Sequence, residues 1–178
     1  MCNFICYFVE FCSFFCHKGG RGLSKSRTGN PLQNTRHHLI PSSRIFLCLK
    51  NSMMYRNTKV VRRDFHEAWH TIFGNMTPIE VAEFIVRLSP VGYFKKVIME
   101  AHLWNFTYLV DLQTFEQQYS FEDLRDTKKV AWQKLFANKE WFWVVVEIIE
   151  SWSPSGYFTR VELTAKDSGN NHVYTLSL

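Results

Sequence analysis

The chain has 178 residues, 46% of them hydrophobic and 16% aromatic, which is enough apolar material to close one packed domain. Its net charge of +5 and pI near 9.0 are unevenly held: residues 1–53 carry seven basic residues against one acid, Glu10, for a net of +6, and residues 54–178 carry 14 basic and 15 acidic residues, for a net of −1. That neutral balance argues against a folded nucleic-acid-binding domain, and the lack of cysteine after Cys48 excludes a disulfide-stapled secreted fold; a cytoplasmic or nuclear location is the resulting expectation.

Residues 1–53 read as a basic, cysteine-containing, disordered leader, either unstructured or a non-native extension with Met53 or Met54 as an alternative start. Its first 16 residues, MCNFICYFVEFCSFFC, are too short for a bilayer span of roughly 20 apolar residues. The positive charge follows this run instead of preceding it, unlike a secretory signal. Membrane association is expected only through this stretch, as an interfacial or lipidated anchor. Cys12, Cys16 and His17 have metal-ligating chemistry, but no second cluster completes a site. Residues 18–44, rich in Gly, Ser, Asn, Arg and His without a period, have the composition of disorder.

From about residue 60 the chain repeats itself. AWHTIFGN at 68–75 returns as AWQKLFAN at 131–138, and SPVGYF at 89–94 returns as SPSGYF at 153–158. Tyr108, Val110 and Leu112 correspond to Tyr174, Leu176 and Leu178. Residues 54–178 are therefore expected to be a duplicated α+β domain, with one repeat over about 60–115 and a second over about 120–178.

Each copy reads as helix, helix, strand, strand. Trp69, Ile72 and Phe73 share a helix face, as do Trp132, Leu135 and Phe136. Thr77-Pro78-Ile79-Glu80 has the form of a capping box with proline at the first helical position. The helix it opens carries the stripe Val81, Phe84, Ile85 and Leu88, matched by Val145, Ile148, Ile149 and Trp152. Read alone, the run Trp141–Ile149 would pass as a buried strand; the repeat makes it a helix. Pro90 and Pro154 stop the helices and Gly92 and Gly156 turn the chain into strands. In these strands Tyr93, Val97, Met99 and Ala101 alternate inward, as do Tyr157, Val161, Leu163 and Ala165. The first hairpin is expected to turn near His102–Asn105 and the second through Asp167–Asn171. The expected fold is α+β, two tandem ααββ repeats giving a four-stranded, mostly antiparallel sheet covered on one face by helices. A pseudo-symmetric monomer and an intertwined homodimer both satisfy the pattern.

One motif carries chemistry. His66-Glu67-Ala68-Trp69-His70 resembles the H-E-x-x-H helix of zinc peptidases, in which histidines at i and i+4 ligate zinc and the glutamate activates the bound water. With about 100° per residue, His66 and His70 lie roughly 65° and 105° from the buried face, and Glu67 points away from it. The second copy has Lys129, Val130 and Gln133 at these positions. Arg63 and Asp64 place charge where such helices tend to be apolar. A catalytic zinc site needs three protein ligands, and Glu80, Glu83 and Glu100 offer no clear third, so a surface histidine pair is the preferred reading. The leading functional expectation is then a non-catalytic binding or adaptor module, an accessory protein with a protein partner and no cofactor. The alternatives are a zinc-dependent hydrolase with His66 and His70 as ligands and Glu67 as base, and nucleic-acid binding through the leader, helped by Arg56, Lys59, Arg62 and Arg63.

Overall fold

The computed structural model describes residues 30–44, 57–103, 106–111, 119–167 and 170–177. Among these residues the elements are β1 (Asn34–His38), β2 (Thr58–Arg62), α1 (Arg63–Phe73), α2 (Pro78–Leu88), β3 (Phe94–Leu103), β4 (Phe106–Asp111), α3 (Asp126–Phe136), α4 (Trp141–Ser151), β5 (Phe158–Asp167) and β6 (Asn170–Ser177). The fold is α+β. Strands β3 to β6 form one antiparallel sheet in the order β4-β3-β5-β6, and β1 and β2 form a separate antiparallel ribbon. Among the described residues no helix is long and apolar enough to cross a membrane.

The helices form where the apolar period demands. Trp69, Ile72 and Phe73 of α1 and Trp132, Leu135 and Phe136 of α3 are all buried, and α1 packs on α3 while α2 packs on α4. At the start of α2 the Glu80 carboxylate accepts the Thr77 amide at 2.7 Å, completing the capping box. The α4 segment is helical despite its β-branched composition. Phe142, Val144, Val145, Val146, Ile148 and Ile149 are all buried, and a helix enclosed on most of its circumference shows little sequence amphipathicity.

Both helix-to-strand turns are built alike. Pro90 O accepts the Tyr93 amide and Pro154 O the Tyr157 amide, each at 3.0 Å, with Gly92 and Gly156 at φ 72° and 75°. The strands alternate as their sequences do: Val97, Met99, Ala101, Val161, Leu163 and Ala165 are essentially inaccessible, and Lys96 and Glu162 on the other face pair at 2.5 Å. The central seam is the β3–β5 ladder within one chain, from Phe94↔Ala165 to Ala101↔Phe158. The tips of both hairpins, at 104–105 and 168–169, lie outside the described residues.

The ribbon is where the fold departs from expectation. Residues 34–38, read above as part of a disordered leader, pair with β2 from Asn34↔Arg62 to His38↔Thr58. Leu39 and Ile40 then enter the core. The buried Asn57 clamps this segment, accepting the Ile40 amide at 2.7 Å and donating to the Ile40 carbonyl at 2.8 Å. The physical reason is tertiary: a short polar strand finds its backbone partners in β2 and its cover in α1, neither of which local composition reveals. Residues 1–29 lie outside the described set, and with them the expected anchor and the Cys12, Cys16 and His17 group.

Candidate metal centre

Helix α1 follows β2 without a loop, and its first turn is fully tied down. The Arg63 amide donates to Gln33 O at 2.8 Å, the Asp64 amide to Pro31 O at 3.3 Å and the Phe65 amide to the Asp64 carboxylate at 3.0 Å. Asp64 is itself held by Arg62 at 2.6 Å and by Lys134 of α3 at 3.5 Å. Burial opposes ionisation of Asp64, but the Arg62 hydrogen bond and the two cations prevail and hold its carboxyl below the ordinary range. The β1–β2 ribbon and the start of α1 are thereby fixed against each other.

This junction brings three imidazoles together. His37 of β1, His66 and His70 each offer a ring nitrogen, and the three nitrogens lie within 4.8 Å of one another. The ring centroids are 5.0 Å apart for His37 and His66, 5.3 Å for His37 and His70, and 4.9 Å for His66 and His70. His66 is half-buried and His70 and Glu67 are exposed, as the helical angles require. The pair is nonetheless no isolated surface feature, because His37 lies behind it at 1% exposure.

The outer nitrogens of the helix pair are braced. His70 Nδ1 lies 2.9 Å from Gly74 O, and His66 Nδ1 lies 3.0 Å from Thr35 Oγ1. Gly74 ends the helix at φ 58° and ψ −117°, a conformation that suits glycine and turns its carbonyl back toward His70. The two Nε2 atoms face each other at 3.0 Å. A carbonyl only accepts, so His70 Nδ1 carries the proton, and in the neutral ring Nε2 presents a lone pair. The Thr35 hydroxyl also lies 3.3 Å from Val61 O. If its single proton goes there, His66 Nδ1 donates to Thr35, and two lone pairs confront each other across 3.0 Å. A cation between them satisfies both.

His37 supplies the third lone pair. Neither of its ring nitrogens has a hydrogen-bond partner. It is packed edge-on against Trp69 at 5.2 Å and Trp152 at 5.5 Å, which are themselves stacked at 4.2 Å. Burial pushes its pKa down to about 3, assisted by the charges of His66, His70, His38 and Lys59. Burial also lowers that of His66, with His70 and His38 adding to the effect and Glu67 opposing it. Both rings are thus held neutral at pH 7, the form that ligates metal. Tetrahedral zinc with Zn–N near 2.0–2.1 Å would set its ligand nitrogens roughly 3.3 Å apart. The two helix nitrogens already meet that spacing within a few tenths of an ångström, and closing the set onto one ion moves no pair by more than about 1.5 Å.

The cluster opens onto a cleft of about 570 Å³ lined by Thr35, Arg63, His66, Glu67, His70 and Thr71. The acids considered as third ligands are engaged elsewhere: Glu80 in the helix cap, Glu83 with Arg87 at 2.7 Å, Glu100 beside His102 at 3.1 Å. Among the described residues His37, His66 and His70 form the metal-capable group. No protein-family model matches the chain, and neither a curated protein nor a solved structure resembles it at a significant level.

Proposed function

We propose that this protein binds a transition-metal ion of the zinc type through His37, His66 and His70, with a fourth position open to the cleft. The observation that carries the reading is the convergence of three imidazole nitrogens, two of them with their opposite nitrogens fixed by protein oxygens. Outer-shell bonds of this kind orient metal-ligating histidines. Three protein ligands with an open position is the arrangement of a catalytic site and not of a closed structural one. Glu67, exposed and lining the same cleft, is the base that such a centre would use to take a proton from bound water, so the reading extends to a metal-dependent hydrolase.

The test is a zinc titration of the purified protein. One equivalent should bind, and at about 100 times its Kd zinc should raise the unfolding free energy by about 2.7 kcal/mol. Alanine at His37, His66 or His70 should each weaken binding by more than about 100-fold, whereas Glu67→Gln should leave it unchanged. Equal affinity in the wild type and all three alanine variants overturns the proposal.

We further infer that the domain is a tandem duplication, with its helices on one face of the sheet and the centre in the first copy alone. In support, α1 and α3 have equal lengths, as do α2 and α4, and β3 and β5. The Trp69–Phe73 and Trp132–Phe136 ring pairs share centroid distances of 4.8 and 4.9 Å at 60°. The Tyr93 hydroxyl accepts the Phe142 amide of α4 at 3.4 Å, and the Tyr157 hydroxyl is buried near Thr77 and Ile79 at the start of α2, without a hydrogen-bond partner among the described residues.

A second reading, the non-catalytic module gripping a protein partner, is favoured by Trp143. Its side chain is 50% exposed on a second cleft shared with Val146 and Tyr174, and exposed tryptophan is enriched where proteins bind. Failure of the zinc titration makes this the preferred function.

A further inference from the structure

The cleft over His66 and His70 holds a cation, Arg63, that no ion pair among the described residues engages. Arg63 lines it from the first turn of α1, on the same helix face as His66, Glu67 and His70 at the i, i+3, i+4 and i+7 positions. Its Nη2 donates to the Gln33 side chain at 3.1 Å, and its Nε is buried without a hydrogen-bond partner. The carboxylate nearest in sequence, Asp64, is committed to Arg62 and Lys134. Among the described residues no carboxylate pairs with Arg63.

A buried, unsatisfied guanidinium N–H costs stability unless a ligand supplies an acceptor. Guanidinium also has the fork geometry that matches oxyanions. The first backbone amides of α1 are already bonded to Pro31 O, Gln33 O and the Asp64 side chain, so an anion here would be read by the arginine and not by the helix terminus.

Charge selects among oxyanions. A divalent ion and Arg63 together bring three positive charges to the cleft, and Glu67, the one acid among the described residues lining it, returns one negative. The remaining two match a phosphate dianion better than a carboxylate.

Resting on the metal reading above, we propose that the cleft binds a phosphate group, one oxygen on the open metal position and others on the Arg63 fork, so that the substrate class is a phosphate ester. Thr35 and Thr71 lie on the rim of the same cleft.

The test uses the full chain loaded with cobalt(II), whose visible spectrum reports a change of metal ligand. Inorganic phosphate should shift the spectrum saturably, and sulfate and acetate should bind at least about 10-fold more weakly. Arg63→Gln should weaken phosphate binding by about 10-fold or more and leave cobalt affinity within about 3-fold, with Arg63→Lys intermediate. Circular dichroism of each variant controls for folding. Failure of the wild type to bind cobalt or zinc sinks the metal reading itself. Cobalt binding with a spectrum indifferent to phosphate, or equal phosphate affinity in wild type and Arg63→Gln, overturns the phosphate proposal while leaving the metal centre standing. Acetate binding as tightly as phosphate overturns the phosphate assignment in favour of a carboxylate ligand.

Discussion

Gly74 shows how one residue's backbone can shape a side chain's chemistry. Its φ of 58° and ψ of −117° direct its carbonyl onto His70 Nδ1 at 2.9 Å, which sets the tautomer and aims Nε2 at His66. A methyl group added there meets nothing within 4 Å, so Gly74→Ala tests conformation and not space. The substitution should cost about 1–3 kcal/mol in urea unfolding. It should also reduce zinc affinity by roughly 10-fold through the lost outer bond. Full retention of both would mean that His70 is positioned by other contacts. In the sequence this glycine carries no signal of such a role. His37 was equally unreadable, because a histidine in a polar stretch carries no pattern that announces a partner 29 residues further along the chain. Only the His66 and His70 half of the cluster, fixed by a single helix turn, had a local signature.

Among the elements, those with a strong period were legible. The α1 and α3 stripes, the capping box of α2 and the alternation of β3 and β5 all depend on residues close in sequence, and local physics suffices for them. The helix α4 was not legible alone, since burial around most of its surface erases the period, and its assignment needed the comparison with α2. The strand β1 escaped because its stability comes from distant groups. Asn57 is the chief of these: its side chain serves both the amide and the carbonyl of Ile40. Asn57→Ala leaves two buried backbone groups unpaired, at about 1–3 kcal/mol each. Hydrogen exchange at the Leu39 and Ile40 amides should accelerate more than at β3. Because His37 rides on the same strand, zinc affinity should fall in parallel. Unchanged exchange with lost zinc binding would separate the two effects and place the clamp's role elsewhere.

For the whole molecule, two buried tyrosines precede the central strands, Tyr93 before β3 and Tyr157 before β5. Burial pushes the Tyr157 hydroxyl up to about 12 from an ordinary value of 10.0. The folded state therefore holds this proton more tightly than the unfolded chain. The stability it contributes is fully present below pH 10 and is lost as the pH rises from 10 toward 12. Denaturant midpoints should fall over that window, and Tyr157→Phe should flatten part of the decline; an identical decline in the variant would assign it to other groups.

The strand order β4-β3-β5-β6 puts the β3–β5 seam at the middle of the sheet. A polypeptide cut between residues 111 and 119 would leave each piece with a raw row of amides and carbonyls along β3 or β5, and would part α1 from α3 and α2 from α4. Such pieces have every reason to find each other again, or to find the same edge on another copy. Carrying both strands on one chain keeps the complementary edge always at hand, at a local concentration no free fragment could match.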